Sequence, residues 1–260
     1  MKHIQVRMGK RYLVIFIFLL LNRFPAYSMD PAADFLKANE LYKAKNYVAA
    51  AAKYEQLLKE QYVNSEVYYN LGNCYYRLDQ NPKAILFFER ALKLTPDDED
   101  LQFNLKLATL KSIDKIDKVP EIFYVRWARD MYGLFSTDNW ARILTCSIWL
   151  VFLFASLYLL SGSVFLKRTG FLLAAFFLLI SMISWILTQQ SFKESYVNKS
   201  GIIMAVSTYV KSSPGENNTD LFMLHEGTKV RILDEYDNWL KISIANGSVG
   251  WLHKDKLEEI

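Results

Sequence analysis

Residues 65–98 read SEVYYNLGNCYYRLDQNPKAILFFERALKLTPDD, and Tyr68, Leu71, Gly72, Tyr75, Ala84, Phe88, Ala91 and Pro96 fall where two antiparallel helices need them. Gly72 lets the first helix approach its partner closely, Ala84, Phe88 and Ala91 interlock from the second, and Pro96 stops that second helix. Moving back 34 residues returns Ala38, Ala50, Tyr54 and Leu57 at the matching places, with Leu41-Tyr42 and Asn46-Tyr47 keeping the helix-turn-helix rhythm. A fixed period of this kind marks stacked copies of one unit, here 31–64 and 65–98. Residues 99–116, with Leu101, Phe103, Leu105 and Leu107, predict a helix capping the second copy. Such stacks usually need about three units. Support is therefore expected from residues 117–139 or from a partner.

The unit at 65–98 resembles a tetratricopeptide repeat almost residue for residue, so residues 29–116 are expected to form an all-α solenoid. Its concave side would present Asn39, Tyr42 and Lys43 from the first unit and Asn73, Tyr76 and Arg77 from the second. Amide, phenol and cation at i, i+3 and i+4 on neighbouring helices suit an extended peptide: amides pair with its backbone and cations attract its carboxylates. The competing reading is that Asn and Tyr are simply common in this repeat. The carboxylate clamps of the family use more cations than these two units supply.

The rest of the chain is organised by charge and hydropathy. Residues 1–28 hold Lys2, Arg7, Lys10, Arg11 and Arg23 but no acid, followed by the apolar run Tyr12–Leu21 and by Ala26-Tyr27-Ser28. Those are the three parts of an export signal, with cleavage expected before Met29; an uncleaved anchor would place the chain the same way. Five of the 31 Lys and Arg lie there, so beyond residue 28 there are 26 bases against 27 acids, a balance of −1. Nucleic-acid binding, which needs a clustered basic face, is thereby excluded. Residues 143–166 and 169–192 are two runs of 24 uncharged positions separated by Lys167-Arg168. Each is long enough to cross a bilayer, and together they predict a transmembrane hairpin over 140–190, with helices near 141–161 and 170–189. The signal, together with Lys167-Arg168 in the turn, puts both flanking regions outside the cytoplasm. Within 117–139, Phe123, Trp127, Met131 and Phe135 recur every four residues beside Arg126 and Arg129, which predicts an amphipathic helix lying in the headgroup layer or packed under the repeats.

From residue 201 the pattern changes to β-branched residues alternating with polar ones, broken by Ser213-Pro214-Gly215, Gly227 and Asn246-Gly247. Five or six short strands are expected, with Asn246-Gly247 turning the last hairpin. Tyr209-Val210-Lys211, the glycine turn at Gly227, Trp239-Leu240-Lys241-Ile242 and Gly250-Trp251 resemble the bacterial SH3-like barrel over residues 201–260. That resemblance implies an adhesive module for cell-wall peptides or proteins, with Tyr209, Trp239 and Trp251 on its rim or filling its interior.

The fold class expected is thus a multidomain membrane protein: an all-α tetratricopeptide solenoid, a two-helix transmembrane hairpin and a small all-β SH3-like barrel. This order of parts, with Asn70-Leu71-Gly72-Asn73 and Thr219-Asp220-Leu221-Phe222 leading into Leu224-His225-Glu226-Gly227-Thr228, resembles the BatE family of the Bacteroides aerotolerance operon over about 230 residues. The resemblance implies a bacterial inner-membrane scaffold with both soluble modules in the periplasm. Its implied partners are proteins or peptides, among them Bat-type membrane proteins with von Willebrand factor A domains, and peptidoglycan is the alternative. No catalytic, cofactor or metal motif is found: His225 and His253 are isolated, and the two cysteines, Cys74 and Cys146, fall in the repeat and in a spanning helix.

Overall fold

The computed structural model describes residues 31–117, 119–120 and 122–260; the stretch read as an export signal lies outside them. The repeat region is built from α1 (Pro31–Lys43), α2 (Tyr47–Lys59), α3 (Ser65–Arg77), α4 (Asn81–Leu94) and α5 (Glu99–Leu110). Starts are capped by short polar side chains: Asn46 accepts from the Ala49 amide, Asn64 from Val67 and Asp98 from Leu101. The 34-residue period is visible in the backbone. Lys45 and Asp79 both take left-handed φ, at 61° and 58°, in the turns that end α1 and α3. The amides of Asn46 and Gln80 reach back to the carbonyls of Leu41 and Tyr75 at 2.9 Å in both units. Tyr54, Leu57, Leu71, Ile85 and Phe88 are buried at the centre. A side chain is excluded at Gly72, where a Cβ would stand 2.7 Å from two ring atoms of Phe88.

Two long helices, α7 (Thr137–Leu160) and α8 (Val164–Phe192), pack along each other after the short α6 (Phe123–Tyr132). Their pattern is the reverse of a water-soluble pair. The buried positions on α8 are Gly170, Ser181, Ser184 and Ser191, while large apolar side chains such as Trp149 (70% exposed) and Leu172 (66%) face outward. Close approach explains the small residues, since a Cβ on Gly170 would stand 3.0 Å from the Phe154 carbonyl and the Tyr158 amide nitrogen. Phe154 and Phe177 stack between the helices, and the hydroxyls of Thr137 and Ser191 meet at 2.9 Å. The most apolar stretches are only 6% and 11% buried, and both helices are long and apolar enough to cross a membrane. The turn between them is just Ser161–Ser163, so Lys167 and Arg168 stand in the first turns of α8 rather than in a loop; long basic side chains are good helix formers and reach away from the apolar run.

Seven strands form one antiparallel sheet in the order β3-β2-β6-β5-β4-β1-β7, from β1 (Ser200–Ile203), β2 (Ser207–Lys211), β3 (Asp220–His225), β4 (Lys229–Tyr236), β5 (Trp239–Ser243), β6 (Val249–His253) and β7 (Leu257–Glu259). Alternation sends Val210, Leu224, Leu240, Ile242 and Leu252 inward. Gly247, at φ 86°, turns the β5–β6 connection. Sequence alternation does not reveal β7, which contributes one buried apolar residue, Leu257, over three positions.

The expected support for the open end of the stack from residues 117–139 is not what the structure shows. No residue of α6 is buried, with Phe123 79% and Trp127 65% exposed, and the helix leans on α8. The capping helix stops at Leu110, short of residue 116. Ser112 is then buried and Asp114 turns toward the sheet domain. The sheet domain itself closes the stack: Ile202 is fully buried in the repeat core, with Met204 and Ile260 packed around it. A second helix for the incomplete third unit is replaced by β1 and the loop around Gly227, whose φ of 82° and position against Ser112 and Ile85 exclude any larger residue.

Candidate functional site

The first helices of the successive units, α1, α3 and α5, form the concave wall, and they carry all six groove candidates. Asn39 and Asn73 turn out to be cross-links between helices. Asn70 Nδ2 donates to Asn39 Oδ1 at 3.2 Å, and one unit later Asn104 Nδ2 donates to Asn73 Oδ1 at 3.3 Å. The Tyr54 hydroxyl also donates to Asn39, and Asn104 donates to the Tyr69 hydroxyl at 2.9 Å. The oxygens of these amides are therefore engaged in holding the stack in register, a role that the expectation of pairing with a bound backbone did not include.

What remains for a ligand is an aromatic and cationic stripe. Lys43 is exposed, Tyr42 lies edge-on to Tyr47 at 5.3 Å, and Arg77 reaches across to the Tyr42 hydroxyl. That hydrogen bond is the first cause holding the Arg77 guanidinium above its ordinary pKa, followed by the nearby tyrosine charges. One unit on, Lys111 sits 4.2 Å over the Tyr76 ring and 3.1 Å from Asp79. Lys43, Arg77 and Lys111 are thus the same position in three units. Sequence reasoning missed Lys111, although the period alone points to it, because residues 99–116 were read only as a cap.

Cys74 lies behind this wall, fully buried, and burial pushes its thiol up to about 12. Burial on this scale makes Cys74 part of the packed interior of the stack. Cys146 is exposed on α7.

The sheet domain offers a second surface. Along β5 and β6 the buried residues alternate with Trp239, Lys241, Trp251 and His253, so neither tryptophan fills the interior. Trp251 is registered against Lys241 and Lys211, and Trp239 meets the His253 ring edge-on at 5.5 Å. Tyr209, 54% exposed, extends the same face through β2 to Met223 on β3. All three rim candidates therefore lie on the side of the sheet opposite its buried residues.

Between the two surfaces the modules are clamped. Asp114 accepts from the His225 amide at 2.8 Å and from Thr228 Oγ1 at 2.7 Å, and lies 2.7 Å from His225 Nδ1. Burial by itself would raise the Asp114 pKa, but the bonds from Thr228 and His225 outweigh it and hold the carboxyl below its ordinary range. Arg90 bonds Glu258 at 3.0 Å and the Glu259 carbonyl, and Lys229 bridges to Glu89 at 2.7 Å.

Residues 35–99 match a family model described as tetratricopeptide repeat, and residues 206–258 match one described as bacterial SH3 domain. No curated protein matches the chain. The first match takes in the six groove candidates and stops where α5 begins, and the second takes in Tyr209, Trp239 and Trp251.

Proposed function

We propose that this protein is a non-enzymatic, membrane-anchored scaffold whose repeat groove binds acidic extended segments of partner proteins. The observation that carries the reading is the ladder Lys43, Arg77 and Lys111 beside Tyr42 and Tyr76. Neighbouring packed helices lie about 10 Å apart, which about three residues of extended chain span. The groove is therefore suited to a carboxylate at every third position.

Two observations support the membrane anchor. The inverted burial of α7 and α8 leaves an apolar surface that water would not tolerate. An even number of spans returns the chain to the side it left, as the contact between the modules that flank the hairpin requires. The match to a bacterial domain and the order of the parts extend the proposal to a bacterial inner membrane with both modules in the periplasm, and, through the BatE resemblance, to a Bat-type complex with von Willebrand factor A partners. A second reading, favoured by the open face of Tyr209, Trp239 and Trp251, is that the sheet domain holds peptidoglycan.

One set of variants of the full-length protein separates the readings. A nonapeptide with Glu at every third position should bind about tenfold more tightly than one with its glutamates clustered, and Lys43→Gln, Arg77→Gln and Lys111→Gln together should remove the difference, since exposed pairs contribute roughly 0.2–1 kcal/mol each. Equal binding of the two peptides would overturn the groove assignment. Trp251→Ala should leave peptide binding intact and reduce sedimentation with purified peptidoglycan only if the second reading holds.

A further inference from the structure

The last helix of the stack departs from the chemistry of the first two. In steps of 34 residues, Phe35, Asn39 and Tyr42 on α1 recur as Tyr69, Asn73 and Tyr76 on α3, and as Phe103, Leu107 and Leu110 on α5. In the first two units the next helix reaches over these positions. Asn70 donates to Asn39 and Arg77 bonds the Tyr42 hydroxyl; Asn104 then donates to Tyr69 and Asn73, and Lys111 sits over the Tyr76 ring. The stack ends at α5, where Phe103 is 61% and Leu110 63% exposed and Leu107 is partly buried. That ending accounts for the loss of the asparagine at 107, since no further amide arrives for it to accept from. It does not account for the residues that stand there. The terminal helix of a solenoid ordinarily turns a polar face outward, whereas apolar residues at i, i+4 and i+7 give α5 one continuous apolar stripe.

The junction with the sheet domain does not use this stripe. Leu101 and Ala108 are the α5 residues buried in the core that Ile202 joins, and the turn of about 100° per residue puts them on the other side of the helix from Phe103 and Leu110. Leu110 precedes Lys111 just as Tyr42 precedes Lys43 and Tyr76 precedes Arg77, so the stripe runs beside the cation ladder into the third unit. We propose that Phe103, Leu107 and Leu110 form an anchor site for one large aliphatic or aromatic side chain of the acidic segment that the groove binds. The proposal rests on the groove reading and narrows it: the segment carries spaced carboxylates and, next to the one opposite Lys111, a leucine-like residue. Such an anchor supplies what the ladder lacks. Three cations at equal intervals accept a segment shifted by one unit with two of the three pairs intact, and exposed ion pairs are individually weak; one apolar side chain with a single place to bury fixes both direction and register.

The test uses the full-length protein and labelled peptides that extend the evenly spaced glutamate nonapeptide by Leu or by Ala, at either end, with binding read by fluorescence anisotropy. One of the two Leu peptides should bind about tenfold more tightly than its Ala counterpart, the scale of burying part of one aliphatic side chain. Leu107→Asn with Leu110→Tyr gives the third unit the residues that the first two carry. It should cancel the Leu advantage while keeping the preference for spaced over clustered glutamates, which reports that the groove is still folded. Equal binding of Leu and Ala peptides at both ends, or a Leu advantage that survives in the variant, would overturn the anchor. A Leu advantage lost in the variant, with no preference for spaced glutamates in either protein, would keep the anchor and remove the ladder. A wild-type dimer that the same variant turns into a monomer would give the stripe to a second copy of the chain and overturn the proposal.

Discussion

Replacing Asp114 by alanine is expected to loosen the edge of the sheet domain that faces the repeat while leaving each module folded. The Asp114 side chain is only 13% exposed and accepts from the His225 amide and Thr228 Oγ1, with His225 Nδ1 also at 2.7 Å. Removing it leaves these groups without their acceptor at a buried interface, a loss of about 3 kcal/mol. The other polar contacts at that junction, Arg90 with Glu258 and Lys229 with Glu89, are partly exposed and individually weaker, so what still holds the domains together is chiefly the burial of Ile202 in the repeat core. Hydrogen exchange should show residues 200–204 and 224–229 losing protection in Asp114→Ala, with the helices of the repeat protected as before. The pH dependence follows from the sign of the shift. A carboxyl whose folded pKa is depressed contributes its full stabilisation above the unfolded value of about 3.9. The Asp114 contribution should therefore be constant from neutral pH down to about pH 5 and be lost only as pH falls through the folded value. Wild-type and variant should converge in strong acid. Protection at 224–229 that is unchanged in the variant would show that the clamp is held elsewhere.

A comparably large effect is expected at Gly72. A Cβ there would lie 2.7 Å from Phe88 Cδ1 and Cε1, and that ring is 1% exposed, with Tyr69 against it at 6.1 Å. Alanine would gain about 1 kcal/mol of helix propensity yet force the ring to move in a packed interior. Valine adds two further methyl groups and should cost about 3 kcal/mol. The measurement is hydrogen exchange across α3 and α4 in Gly72→Val, which should show local unfolding of both helices. Gly162→Ala is the control: nothing lies within 4 Å of its Cβ position, and no change is expected.

These two sites also mark what the sequence could and could not reveal. Gly72 and Phe88 were legible because one packing problem is solved twice, as Gly72 with Phe88 and as Ala38 with Tyr54, and a repeated solution leaves a period. The two apolar runs were legible because a long uncharged stretch is a matter of composition alone. Asp114 was not, since its partners lie 111 and 114 residues away and no local pattern announces such a contact. Nor were the roles of Asn39 and Asn73. Their spacing does not announce the cross-links that their oxygens accept from Asn70 and Asn104, 31 residues on. Ile202 reads as one more strand residue until the repeat it closes is seen beside it.

The account depends most on both modules sharing one side of a membrane that α7 and α8 cross. Single cysteines at Lys43 on the repeat, Gly162 in the hairpin turn and Ser207 on β2, placed in a chain with Cys74 and Cys146 replaced by alanine, can be tested with a membrane-impermeant maleimide on intact, outer-membrane-permeabilised cells. Positions 43 and 207 should label together while 162 stays protected until the inner membrane is opened. Labelling of 162 alongside them, or of 43 and 207 in opposite compartments, would contradict the account.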